Sequence, residues 1–308
     1  MISIIVSSYK PALFNSFSIS VKDTIGDLIF EIVQINNPGL MGVCEAYNQG
    51  AAQAKYPYLI FCHEDIIFHT KNWGEKLLKA FESDSTIGLL GVLGSKYKSS
   101  ILSGWAIDFG TSAQMIHNAD GKTFYSRTIN NKHILIDLKQ VDITEAYNNV
   151  PDEVCNDEVV AIDGMFMATT KEVYKTLKYD QETFKHFHCY DIDYSLQVLQ
   201  QHKVVVNHNI LIEHLSSGNF DKKWFASTLL LHNKWKQKLP AYKMTLNKND
   251  VFLAESKAFD NLTPYLRRNK ADIVKYLKYF YSNNYIALFG IKNWFNFQLK
   301  ILRKSLKL

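Results

Sequence analysis

Short apolar runs alternate with amphipathic stretches through the first half of the chain. Ile2–Val6, Phe30–Ile35 and Tyr58–Cys62 are runs of mostly β-branched, aromatic and aliphatic residues, the pattern of buried strands. Between the last two, Gly42–Lys55 carries Val43, Ala46, Tyr47, Gly50, Ala51 and Ala54 at helical spacing. Its small residues predict a helix lying close on a sheet. Trp73–Phe81 predicts another helix and Ile87–Leu93 another strand. Residues 95–158, rich in Asn, Ser, Gly and Lys, predict loops and an insertion over one sheet edge. Order returns in strands over Val159–Thr169 and Val204–Ile212, with a helix over Asp193–Gln201 between them. The alternation predicts an α/β fold with a mostly parallel, Rossmann-like central sheet flanked by helices. After Pro240 the pattern turns helical, which sets a boundary there: one unit over 1–240 and a helical extension over 241–308.

Composition narrows this picture. With 308 residues and 47% hydrophobic content, the chain can bury one large core, or one core with an appendage. Cys44, Cys62, Cys155 and Cys189 form no Cys-x-x-Cys pair, so neither a zinc knuckle nor a disulfide framework is suggested and a reducing cytoplasm fits. Met1–Val6 lacks the basic start and the apolar length of a signal peptide and predicts a first strand. The net charge of +5 is concentrated at one end: residues 266–308 hold ten Lys and Arg against one acid, Asp272. A nucleic-acid binder would spread its basic residues over the folded face, so that class is set aside. Within 291–308, Lys292, Lys300, Arg303, Lys304 and Lys307 share one helical face. Ile291, Trp294, Phe295, Leu299, Ile301, Leu302, Leu306 and Leu308 share the opposite one. Such a helix suits an anionic membrane surface, on the inner face of the cell membrane, or equally a protein interface such as a homo-oligomer contact. Lys292 and the other cations bar a spanning helix.

The chemistry gathers at strand ends. Tyr58–Cys62 runs directly into His63-Glu64-Asp65, which places ionisable side chains at the carboxyl edge of a sheet, where open α/β folds bind ligands. Carboxylates there suit a hard divalent cation, commonly partnered by phosphate. Side chains alternate along a strand, so Glu64 should face away from Asp65. The bland reading of the cluster is a solvated polar turn.

Six further segments occur in order. Ser7-Ser8-Tyr9-Lys10 ends the first strand, Asn36-Asn37-Pro38-Gly39 ends the second, and Glu45–Ala51 leads to the His63-Glu64-Asp65 strand. Ile162-Asp163-Gly164-Met165, Tyr190-Asp191-Ile192-Asp193 and Glu213-His214-Leu215-Ser216 follow. As an ordered set over residues 1–240 they resemble the family 2 glycosyltransferases of GT-A fold, in a branch whose Asp-x-Asp metal motif reads His-Glu/Gln-Asp. The resemblance implies an inverting transferase, hexosyl or N-acetylhexosaminyl, that moves sugar from a UDP-linked donor to a hydroxyl with Mn²⁺ or Mg²⁺. The acceptor it implies is a glycan, free or lipid-linked, of a bacterial surface.

Residue by residue, the resemblance places the metal and diphosphate at Asp65 and His214. Uracil and ribose fall to Ser7, Ser8, Tyr9, Asn36 and Asn37, and Asn48, His63, Glu64, Asp163 and Gly164 complete the donor set. Gly164 would let the sugar approach the backbone, and Asp191 would be the general base. Plainer roles stand beside these. Asp193 reads as a helix N-cap, His214 as a buried structural histidine, Trp105 as packing or as a stacking platform for sugar, and His186 and His188 as loop residues. Two departures stand out, His63 in place of the first motif acid and Tyr190 in place of Glu, and the first keeps open a silent nucleotide-sugar-binding scaffold. A sugar nucleotidyltransferase shares the Rossmann-like start and a metal, but Ser7-Ser8-Tyr9-Lys10 is not the Gly-rich, basic loop that class carries after its first strand.

Overall fold

The computed structural model describes residues 1–105, 109–139 and 150–305. The central sheet starts at β1 (Ile2–Ser8), which lies between β2 (Phe30–Asn36) and β3 (Tyr58–His63), parallel to both. It continues through β13 (Phe166–Thr170), β5 (Ile87–Gly91), β14 (Lys203–Asn207) and β11 (Asn156–Val159). Five of these seven strands run one way; β13 and β11 oppose them. The period of two sorts β1 between the faces: Ile2, Ile4 and Val6 enter one apolar cluster and Ile5 the other. Both faces are covered, which is why the strand reads as a near-continuous apolar run, interrupted at Ser3.

Helix α2 (Val43–Gln53) covers the Ile5 face as expected. A Cβ on Gly50 would stand 2.3 Å from the Ile5 side chain, so only glycine permits that approach. The opposite face carries α3 (Trp73–Ser83) and a helix the sequence pattern did not announce, α1 (Pro11–Thr24). Phe17-Ser18-Ile19-Ser20-Val21 alternates with a period of two and mimics a strand. Tertiary packing decides otherwise: Phe17 and Val21 are buried, and Thr24 accepts a hydrogen bond from Trp73 Nε1 at 3.1 Å.

The expectation of loops over 95–158 fails for residues 111–137, while 106–108 and 140–149 lie outside the described residues. Thr111–Ala119 (β8), Lys122–Ile129 (β9) and Lys132–Asp137 (β10) form an antiparallel meander. Its two turns, Asp120-Gly121 and Asn130-Asn131, all have positive φ, the geometry of tight hairpins. The meander continues through β15 (Ile212–His214) to β4 (Ile66–Phe68), making a second sheet. The predicted strands Val159–Thr169 and Val204–Ile212 are both interrupted. The first breaks at Asp163-Gly164, and in the second Asn207 Oδ1 accepts from Asn209 N at 3.0 Å in a turn that carries the chain from one sheet to the other.

After residue 240, Ala241–Tyr242 pair antiparallel with Tyr97–Lys98, and helices follow: α7 (Lys248–Arg268), α8 (Asp272–Tyr281), α9 (Tyr285–Phe289) and α10 (Ile291–Ser305). These helices share a third apolar cluster with Tyr97, Ile101, Leu102 and with Trp224 and Phe225 of α6 (Lys222–Lys234). Buried Glu255 fastens α7 to that segment, accepting from Tyr97 Oη at 2.7 Å, Ser99 Oγ at 2.9 Å and the amides of Ser100 and Ile101.

Candidate active site

The seam between the two sheets creates the site. β3 belongs to the central sheet and β4 to the second, and only Glu64-Asp65 joins them. β15 pairs with β4 so that His214 lies opposite Ile66, and Leu215 N donates to the Asp65 carbonyl at 3.0 Å. His63 ends β3. Its Nδ1 lies 3.8 Å from Asp65 Oδ1, and His214 Nε2 lies 3.5 Å from the same oxygen. Ligand atoms of His63, Asp65 and His214 all fall within 4.8 Å of one another.

Electrostatics follow from this crowding. Burial works to raise the Asp65 pKa, but the hydrogen bond from His214 and the nearby His63 hold it well below the usual carboxylate range. His214 is raised: burial opposes its charge, and Asp65 and Asp163 outweigh that. His63 is lowered, first by burial and then by repulsion from His214. Two imidazoles and a carboxylate in this arrangement fit a divalent ion, and nitrogen donors favour Mn²⁺ over Mg²⁺. His63 Nε2 meets Tyr190 Oη at 2.5 Å, the kind of outer hydrogen bond that orients a ligating histidine.

A cavity of about 830 Å³ opens beside the trio, and His63, His214, Asp163, Gly164 and Asp191 line it. Asp191 stands in the first turn of α5 (Tyr190–Val198). Burial, then the charge of Asp163, push its pKa up to about 7, against the amides of Ile192, Asp191 and Gly164. Asp163 is itself fixed: Trp105 Nε1 donates to Oδ2 at 2.8 Å and Met165 N to Oδ1 at 2.9 Å. Trp105 therefore has a defined partner as well as a place on the cavity wall.

The expected donor residues divide. Ser7, Ser8, Tyr9, Asn36 and Asn37 meet where β1 and β2 end, Ser7 beside His63 and Ser8 beside Asn36. Glu64 faces away from Asp65, as alternation required, and accepts from Ser8 Oγ at 2.6 Å and from the amides of Tyr9 and Lys10. Asn37 spends its side chain on Ser7 Oγ, the Met41 carbonyl and the Leu40 and Met41 amides, which shapes the turn. Exposed Tyr9 and Asn36 remain open to a ligand. Asn48 lies elsewhere, bonded to Tyr174 Oη, Gln181 and the Tyr179 carbonyl.

One expected reason is corrected. Asp193 is not an N-cap: Cys189, at φ 70°, holds that position. Buried Asp193 instead accepts from Trp235 Nε1 at 2.7 Å and pairs with Lys234 at 2.8 Å, tying α5 to α6 and the turn after it. At Gly164 a Cβ would stand 2.0 Å from Tyr190 Oη, so glycine makes room for the tyrosine that holds His63, and Gly164 also lines the cavity. His188, read as a loop residue, lies 3.6 Å from Asp221, the N-cap of α6.

Two contributions were missed. His117 of β8 lies opposite His214, their rings 6.5 Å apart, and lines the cavity. Its signal was the Asp120-Gly121 hairpin turn just beyond it. The far wall comes from α7, through Asp260, Asn261, Tyr265 and Arg268. No signal in the sequence links 260–268 to the site, since the contact is made only by tertiary packing.

Over residues 4–239 the sequence matches a family described as "Glycosyltransferase like family". No curated protein matches it. Among solved structures it is similar to one titled "Crystal structure of GalNAc-T7 with UDP, GalNAc and Mn2+", at 13% identity and a TM-score of 0.49, over 77% of this chain and 47% of that one. The chain thus spans about half the length of that solved chain, and a likeness so distant carries no weight for the site.

Proposed function

The chain belongs to the glycosyltransferase-like family, and from that premise we propose that it transfers a sugar, with inversion, from a UDP-linked donor to a hydroxyl of a glycan acceptor. One observation carries the reading: a carboxylate of raised pKa, Asp191, and the His63-Asp65-His214 trio line or border the same cavity. A divalent ion held by the trio would supply Lewis-acid neutralisation of the leaving diphosphate. The His63 departure from the usual acid would then matter less, because His63 lies beside Asp65 and would offer a ligand atom of its own.

The chain's own residues do the rest. Uracil and ribose would lie over the β1 and β2 ends, against exposed Tyr9 and Asn36, with the turn held rigid by Glu64 and Asn37. The acceptor would enter between Trp105 and α7, presenting its hydroxyl to Asp191. At a pKa of about 7 this carboxylate is ionised in an appreciable fraction at neutral pH and basic enough to take the proton as the hydroxyl attacks. Attack from the face opposite the diphosphate inverts the anomeric carbon. The basic, amphipathic tail supports an acceptor held at a membrane surface, such as a lipid-linked glycan.

The test is UDP release from a panel of UDP-sugars with Mn²⁺ and candidate acceptors. Release that needs metal and is stimulated by an acceptor supports the reading. A protein that binds UDP yet releases none from any sugar in any acceptor mixture would be a binding module instead.

A further inference from the structure

We propose that α10 is a docking surface for an anionic lipid bilayer. The helix uses two of its sides within the protein. Phe297 and Ile301 are buried in the C-terminal cluster. On another side Lys300 pairs with Asp260 at 2.8 Å and Lys304 pairs with the same carboxylate, so two cations of the expected basic stripe are turned inward. Leu306, Lys307 and Leu308 lie outside the described residues.

What remains outside is an apolar stripe. Ile291 is 64% exposed, Phe295 56%, Leu299 50% and Leu302 56%. Spaced at i, i+4, i+8 and i+11, they line one face over about 17 Å of helix. Lys292 and Arg303 flank the stripe near its two ends, both exposed, and neither has an ion-pair partner among the described residues. Among the described residues no helix is long and apolar enough to cross a membrane, and the exposed stripe has the geometry of a helix lying in the interface plane.

Charge decides between a lipid surface and a second copy of the chain. Antiparallel pairing of two such helices sets Lys292 of one against Arg303 of the other, and parallel pairing sets like against like. Anionic headgroups accept both cations while the stripe inserts, each cation contributing about a five-fold gain in partitioning. Asp260 holds Lys300 and Lys304 and also lines the cavity, so a docked α10 keeps the active-site cavity near the headgroups. The docking itself does not rest on the transfer reaction.

Flotation of the full-length protein with phosphatidylcholine vesicles, with and without phosphatidylglycerol, tests this. Deletion of α10 is unsuitable because Phe297 and Ile301 belong to the core. The protein should float only with the anionic vesicles at low salt. Phe295→Glu with Leu299→Glu should abolish flotation, and Lys292→Glu with Arg303→Glu should reduce it more than ten-fold. UDP binding and the circular dichroism spectrum should stay unchanged in both variants, as a control for folding. Failure of the wild type to float at low salt overturns the proposal. So does unaltered flotation of the Phe295→Glu, Leu299→Glu variant, or a wild-type dimer in sedimentation that this variant breaks.

Discussion

Asp191 offers the sharpest test, because the same neighbours set its protonation and its proposed role. If it is the base, kcat should rise with pH through a limb near 7 and level off above it. Asp191→Asn should lose that limb and about 10²–10⁴-fold of kcat while keeping donor affinity. A variant that retains more than about a tenth of kcat would place the base elsewhere. The same shift has a stability consequence of definite sign. The folded-state pKa lies above the unfolded value of 3.8, so between the two the native state holds the proton more tightly and stability falls as pH rises through that window. Asp191→Asn should therefore melt higher than wild type at about pH 8, by about 1–2 kcal/mol after solvent screening at the cavity wall, with little difference at about pH 4. Equal melting at both pH values would show that the carboxylate is not strained in the fold. At the trio, Asp65→Ala should remove most of the gain in UDP affinity that Mn²⁺ gives. Equal wild-type UDP affinity with and without Mn²⁺ in calorimetry would sink the metal assignment.

At the scale of elements, Glu255 is the joint between α7 and the segment that leads to Trp105. Glu255→Ala would leave the Tyr97, Ser99 and Ser100 hydroxyls and the Ser100 amide without their Glu255 acceptor, while the Ile101 amide keeps Ser99 Oγ at 2.9 Å. The expected loss is about 2–4 kcal/mol in urea denaturation, and a loss below about 0.5 kcal/mol would mean other partners serve those donors. Buried strands and the small-residue helix α2 were legible because doubly covered strands and close packing leave plain apolar patterns. That His63, Asp65 and His214 come together was legible only from the ordered set of motifs, because each strand end taken alone also reads as a solvated turn or a buried histidine. Helix α1 was hidden by a serine alternation that imitates a strand. The meander was hidden because its strands are polar on one side; its two hairpin turns were the readable clue. The wall of α7 was not legible at all, since no local pattern records which helix a cavity will meet.

At the scale of the whole molecule, the question is whether the region after residue 240 is an appendage or part of one cooperative fold. The family match ends at residue 239, yet the third apolar cluster joins Tyr97, Ile101, Leu102, Trp224 and Phe225 to four helices beyond it. Cutting the chain there would expose Trp224, Phe225 and Leu102 together, and would remove Asp260, Asn261, Tyr265 and Arg268 from the cavity. Apolar surface of that extent returned to water costs more than one domain can spare, at about 25 cal/mol per Å² against a marginal total stability. The full-length protein should therefore unfold in one transition, with tryptophan fluorescence and loss of UDP binding falling on the same curve. A chain ending at residue 240 should be poorly soluble even though it holds the trio and Asp191. Two separated transitions, or a soluble 1–240 fragment with wild-type UDP affinity, would show instead that the helical region is an independent unit resting on the transferase.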